Sequence, residues 1–364
     1  MLGARWYRCE RCESECKLYN SCGDRHCPGC SGSKRAEWVE KAETLLVDGV
    51  NYFQVVLTLP KELSSLALGN RRVIYDLLFT ASWRALKATV EEEQRFEMAA
   101  LMVLHTWNQK LDAHGHVHAL VPGGGPSLDR PGRWRRTRRR GRDNPLYLVD
   151  ADQLRRCYRD AFLDGLRKLH DRGGLKLEGD FALLKDPHRW EAFLKKLEST
   201  HWVAYIEPPP DVDCRPQDVV RYLGRYLTGG PISDRRLIRT DEEAVYFWAR
   251  QGTQVGGSRE CVPVRLALAE FVRRWSLHIL PKGYVKTRRF GGWSNHHCER
   301  YLRDCRKLIG TKKEPKVSDP IEPQERCCCP QCGEAMTLTA EQTQPSWREL
   351  SENGLWPWWY GRWG

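Results

Sequence analysis

The chain has 364 residues, and its 59 Lys+Arg against 47 Asp+Glu give a formal net charge of +12. Apolar residues make up 41% of it, enough to fill a core, which argues against global disorder. The positive balance favours a polyanionic partner such as nucleic acid. No apolar stretch approaches the roughly 20 residues of a transmembrane helix, and the opening MLGARWYRCERC carries no signal-peptide core. A soluble cytoplasmic protein with no membrane partner is therefore expected.

Fifteen cysteines are many for a reducing compartment, and ten of them fall in two clusters, six from Cys9 to Cys30 and four from Cys327 to Cys332. Such clusters point to metal rather than to disulfides. Cys9-x2-Cys12 followed by Cys27-x2-Cys30 is a four-thiolate zinc pattern, each turn aiming two sulfurs at one centre. Cys22 and His26 lie within the same loop as alternative ligands. Residues 1–35 are thus expected to be a small module folded by structural zinc, with arginines around it suited to a DNA backbone.

Beyond the module, YFQVVLTL (Tyr52 to Leu59) reads as a buried strand ended by Pro60. Val73 to Glu93 has helical apolar spacing, and Ala99 to Trp107 reads as a second strand. His116 to Val121 is a third, stopped by PGGGP. The strand period places His114, His116 and His118 on one face and Val117, Ala119 and Val121 on the other. Imidazoles from one rigid strand make a divalent-metal site when a third ligand joins them. His116 and His118 are the first two ligands. For the third, His114 is nearest, with Asp112, His105 and Gln217 as alternatives.

Next comes Arg130 to Arg142, with eight arginines in thirteen residues. Arg133, Arg135, Arg136, Arg138, Arg139 and Arg140, with Trp134 available to stack on bases, are expected to bind single-stranded DNA. Asp150-x-x-Gln153 resembles a capping box ahead of a helix carrying Leu154, Tyr158, Phe162 and Leu169 on one side. Trp202 to Ile206 is a further strand. Pro216 to Thr228 is a short helix in which Val219, Val220, Leu223 and Leu227 form the buried stripe. Tyr222 and Tyr226, at i and i+4, border that stripe, with Arg221 and Arg225 on the polar side. Two phenols beside two guanidiniums suit attack on, and clamping of, a phosphodiester. The order β-α-β-β-α-β-α predicts an α+β fold with an antiparallel sheet.

Toward the end, Cys329-x2-Cys332 lacks an adjacent second turn, leaving Cys298, Cys305, His296 and His297 as candidate partners for a second zinc. The tail holds Trp347, Trp356, Trp358, Trp359 and Trp363.

These motifs resemble the two-tyrosine HUH rolling-circle transposases of the insertion-sequence-ninety-one type. The resemblance runs through SCGDRHCPGC, TLP after the first strand, VLHTWNQKLDAHGHVHALVPGGG, VVRYLGRYLTGGPISDRRL, LPKGYVKTRRFGGWSN and CPQCG. HUH is here His116-Val117-His118. The resemblance implies an HUH endonuclease domain at 45–255, after the zinc module and before an accessory region at 256–364. It implies Mg²⁺ or Mn²⁺ on the histidines and tyrosine attack that leaves a 5′-phosphotyrosine and a free 3′-OH. Transposon ends and target, as single strands, are the implied partners, met in the bacterial nucleoid. GGPISD after the tyrosines and the EPPP segment depart from the family's usual sequence. A plasmid or phage replication initiator or relaxase would share this chemistry. A zinc-dependent DNA-binding regulator without activity would explain the charge and cysteines alone.

Overall fold

The computed structural model describes residues 3–20, 31–139, 142–143, 146–209, 217, 220, 224, 230–250, 260–310 and 327–343. The strands are β1 (Ala4–Arg8), β2 (Glu15–Tyr19), β3 (Tyr52–Thr58), β4 (Ala99–Trp107), β5 (Ala113–Pro122), β6 (Gly124–Pro126), β7 (Trp134–Arg136), β8 (Arg138–Arg139) and β9 (Arg142–Asp143). They continue as β10 (Val203–Glu207), β11 (Leu237–Thr240), β12 (Ala244–Arg250), β13 (Cys261–Ala267), β14 (Thr287–Gly291) and β15 (Thr337–Gln342). The helices are α1 (Ser31–Glu43), α2 (Ser64–Gly69), α3 (Arg71–Gln94), α4 (Ala151–Asp171), α5 (Pro187–Ser199), α6 (Leu268–Ser276) and α7 (Cys298–Ile309). No helix among the described residues is long and apolar enough to cross a membrane.

Two compact units result, Ser31–Lys312 and a smaller one made of Met1–Cys30 with Lys313–Gly364. The accessory region expected at 256–364 is therefore not one body, because its part up to Lys312 belongs to the larger unit.

The larger unit has the expected α+β architecture, built on an antiparallel five-stranded sheet in the order β10-β3-β5-β4-β14. Strand alternation divides its side chains between two faces. Phe53, Val55, Leu57, Ala100, Met102, Leu104, Val117 and Ala119 point to one face, where α3, α4 and α5 cover them with Leu78, Phe79, Phe162 and Trp190. Tyr52, Leu101, Val103 and Leu120 point to the other, where Ala42 of α1, Leu45 just after it, and Tyr301 and Leu302 of α7 bury them.

Local signals agree with these elements. Asp150 caps α4 by accepting the Gln153 N–H at 2.7 Å, and Asp186 caps α5, with Pro187 in its first turn. Two pieces are absent from the expected element order. β14, inside the basic KTRRFGG run, pairs with β4 as the edge of the main sheet. β11, β12 and β13 form a separate antiparallel sheet packed on α6.

In the smaller unit the sheet order is β15-β1-β2, so a strand from near the end of the chain pairs with one from its start. Among the described residues its buried apolar residues are few: Ala4, Tyr7, Cys9, Cys329 and Met336, with Cys12, Cys16, Cys327 and Cys332 packed around the last four. A cluster of that size cannot offset the conformational entropy of ordering the strands, and a metal must supply the difference.

Candidate active site

β4 and β5 are consecutive strands joined by a tight connection, and their register places His105 opposite His116 and Val103 opposite His118. All three histidines belong to the second face of the sheet. Their ligand nitrogens lie within 4.8 Å of one another. The ring centroids of His105 are 5.3 Å from His116 and 4.7 Å from His118. His105 is only 5% exposed and stacks on Trp107 at 4.8 Å.

His114, nearest in sequence, is not the third member of this group. The ladder shifts register between His105 and Trp107, so Trp107 pairs with Ala113 and His114 has no partner on β4; its ring lies 5.2 Å from that of His116 but outside the three-histidine group. It contributes its backbone carbonyl, which accepts the His116 Nδ1–H at 2.8 Å. That bond leaves the His116 Nε2 lone pair available. Asp112 is taken by Arg274 at 2.6 Å.

Burial, and then the neighbouring imidazoles of His118 and His114, hold His116 well below the ordinary histidine pKa. Burial alone brings His118 down to about 4. Both rings are accordingly neutral near pH 7, the state in which imidazole ligates a metal. The Gln54 amide lies 2.8 Å from His118 Nδ1. The atom facing it is Nε2; with the amide flipped, the Gln54 oxygen would accept Nδ1–H and leave His118 Nε2 for an ion. Three imidazoles, two of them neutral and oriented by partners, fit a divalent cation.

Of the tyrosine-bearing segment, Gln217, Val220 and Gly224 are described, and all three are helical. Val220 is fully buried in the cluster formed with Leu101, Val103 and Leu120, against Trp38 and Val39 of α1. It therefore packs on the same sheet face that carries the histidines farther along β4 and β5. Gly224 lies between the two tyrosines in sequence, and a Cβ there would come 2.4 Å from Val39 Cγ2. Tyr222, Tyr226, Arg221 and Arg225 lie outside the described residues.

The arginine-rich stretch is a pinned loop rather than a free charge run. Buried Gln94 donates to the carbonyls of Arg138 and Leu148 and accepts the Arg138 N–H, all within 2.7–2.8 Å. Arg135 is paired with Asp129 at 3.1 Å and is 16% exposed. Trp134, expected to stack on bases, is instead partly buried against the α7 cluster and lies across Gly124, because β7 pairs with β6. Arg133, Arg136 and Arg139 are exposed, Arg138 is half-buried, and Arg140 lies outside the described residues.

In the smaller unit, Cys9 and Cys12 meet Cys329 and Cys332, with all four sulfurs within 4.8 Å. Cys9 Sγ is 3.5 Å from Cys332 Sγ, and Cys12 Sγ is 3.4 Å from Cys329 Sγ. A tetrahedral Zn–S length of about 2.3 Å implies sulfurs about 3.8 Å apart, so the donor set fits structural zinc. The two turns repeat one pattern. Cys9 N–H donates to Ser14 and Glu13 N–H to Cys9, as Cys329 N–H does to Glu334 and Gly333 N–H to Cys329. The fifth residue of each turn is left-handed, Glu13 at φ 57 and Gly333 at φ 75. The Ser14 hydroxyl, then its backbone N–H, lower the Cys12 thiol to about 6.

Among the described residues, Cys329 and Cys332 thus complete the group with Cys9 and Cys12, whereas the expected Cys27 and Cys30, with Cys22 and His26, lie outside the described residues. Cys305, expected as a possible partner of the terminal cysteines, is a core residue of the larger unit with its thiol pushed up to about 12 by burial. The matching turn was visible as a second C-x2-C, but the two turns are more than 300 residues apart, and the β1–β15 pairing brings them together.

The family described as "Putative transposase" matches residues 99–300, and a transposase zinc-binding domain matches residues 1–59. The chain is 33% identical over 354 residues to "Putative transposase y4qJ" of Sinorhizobium fredii, covering 93% of this chain and 85% of that one. It is 26% identical over 306 residues to the transposase for insertion sequence element IS801 of Pseudomonas savastanoi pv. phaseolicola, covering 83% and 69% respectively. No solved structure matches it. With matches to both its zinc-binding and its main domain, the chain belongs to the IS91-type transposase family.

Proposed function

We propose that this transposase cuts and rejoins single-stranded DNA through tyrosine nucleophiles, in a rolling-circle type of transposition. Membership of a transposase family makes it a DNA-processing enzyme. The observation that supports the finer reading is the His105–His116–His118 group, three imidazoles gathered on the sheet face against which Val220 packs. A bound Mg²⁺ or Mn²⁺ would act there as a Lewis acid on a phosphate oxygen.

The chain's own residues supply the remainder. Tyr222 or Tyr226 loses its phenolic proton to solvent, and its oxygen attacks phosphorus. The P–O3′ bond breaks, the 3′ oxygen takes up a proton, and a 5′-phosphotyrosine remains. The new ester conserves the bond, so attack by a 3′-OH reverses the step without ATP. Arg221 and Arg225 neutralise charge on the phosphate. The second tyrosine accepts the next strand while the first is occupied.

Incubation with a 5′-labelled and a 3′-labelled oligonucleotide, followed by a denaturing gel, tests this reading. A protein band carrying only the 3′-labelled fragment is expected, absent in Tyr222→Phe/Tyr226→Phe and in His116→Ala. A covalent band that persists in the double Phe variant would overturn it.

A further inference from the structure

We infer that the outward face of the β11–β12–β13 sheet is a stacking platform for single-stranded DNA, separate from the histidine centre. On β12, Val245, Phe247 and Ala249 point inward to Leu111 and Ile232 and use up the sheet's apolar face. The opposite face of a solvated antiparallel sheet is ordinarily polar. Here it presents Tyr246 and Trp248 two residues apart on the central strand, with Trp248 42% exposed.

Their cross-strand neighbours are cationic or flat. Arg239 and Arg265 both stand opposite Tyr246, and Pro263 stands opposite Trp248. The Arg239 guanidinium lies over the Tyr246 ring at 3.8 Å, and Arg265 Nε donates to the Tyr246 hydroxyl at 3.2 Å. Arg250 follows on the same face of β12. Asp241 pairs with Arg239 at 2.8 Å and Glu243 with Arg265 at 3.2 Å, both from the β11–β12 turn. These ion pairs are solvent-exposed and weak, so phosphates can replace the carboxylates.

The chemistry selects the occupant. Bases of an unpaired strand offer free faces to Trp248 and to the Arg239 plane, while the guanidiniums meet the phosphates. Duplex DNA hides those faces in its own stack. An apolar protein surface would strip water from these exposed ion pairs and offer them no polar partner in exchange. The platform is also tied to the hairpin that carries His105 and His116. Leu111, near its tip, is buried in the platform's core, Arg236 donates to the Gln109 carbonyl, and Arg274 bonds the Lys110 carbonyl at 3.1 Å. A strand held on the sheet is thereby kept close to one end of the catalytic face.

Anisotropy of a labelled oligothymidylate of about twenty nucleotides, longer than one platform's site, tests this on the full chain. No divalent ion is added, so the cleavage reading plays no part. Trp248→Ala should weaken binding by about five-fold or more, the equivalent of one lost base stack, and Tyr246→Ala/Trp248→Ala further, while Trp248→Phe retains most of it. Duplex binding should change little. An unchanged single-strand affinity in a folded double variant, or an equal loss for duplex, would overturn the platform. Wild-type protein photocrosslinked to an iododeoxyuridine strand gives an independent readout. Adducts should map to Tyr246 or Trp248, and adducts found only elsewhere would sink the proposal.

Discussion

His114 and His105 show how one residue of register decides a ligand. Both are histidines near His116, but only His105 stands across the ladder from it, while His114 gives its carbonyl to the His116 ring. His105→Ala should therefore weaken Mn²⁺ binding, measured by titration calorimetry, by about ten-fold or more, and His114→Ala should leave it nearly unchanged. Gln54 acts on the ion only through His118. Gln54→Ala should cost about ten-fold in affinity, as the loss of an orienting partner does, and Gln54→Glu should restore binding. Gly224 is a separate case. Its missing Cβ is what allows the tyrosine segment to approach Val39. Gly224→Ala should destabilise the protein by about 1–3 kcal/mol in urea unfolding. It should also abolish the covalent DNA adduct, although no reacting atom has changed.

Among the elements, the loop from Gly124 to Leu148 differs most from its sequence. An arginine run reads as solvated and loose, yet Gln94 holds it from below and Asp129 holds Arg135 within it. Its contribution to DNA binding then rests on the residues that point to solvent. Replacing Arg133, Arg136 and Arg139 by Ala should flatten the log–log salt dependence of single-strand binding by about 0.7 per phosphate contact removed. Arg135→Ala should lower thermal stability with little effect on that slope. Trp134→Ala should behave as a core substitution, seen in unfolding rather than in affinity.

Across the whole molecule, the smaller unit joins the beginning of the chain to a segment near its end. Its strands β2 and β15 are almost entirely exposed, so four thiolates hold together what apolar burial does not. Cys329→Ser or Cys332→Ser should therefore release zinc and unfold β1 and β2, although neither residue lies near them in sequence. Metal content and limited proteolysis of residues 3–20 would detect this. The larger unit, with its own core, should keep its unfolding transition in both variants.

Periodicity alone determined the antiparallel α+β sheet. The strands at Tyr52, Ala99, His116 and Trp202 and the helices after Val73 and Asp150 are all legible, because each alternates or repeats its apolar residues over a whole element. His116 and His118 could be read in the same way, since two residues apart on a strand means one face. His105 could be named there as an alternative third ligand but not chosen over His114, and Cys329 and Cys332 as the partners of Cys9 and Cys12, β14 as the sheet's edge and the covering of Trp134 could not be read at all. Each depends on which strand lies beside which, a long-range pairing chosen by the packing of the complete core. Local spacing is blind to that choice. Pairing strands about the Lys110–Leu111 turn, so that His105 opposes His116, is the one step that would have recovered part of it from the sequence.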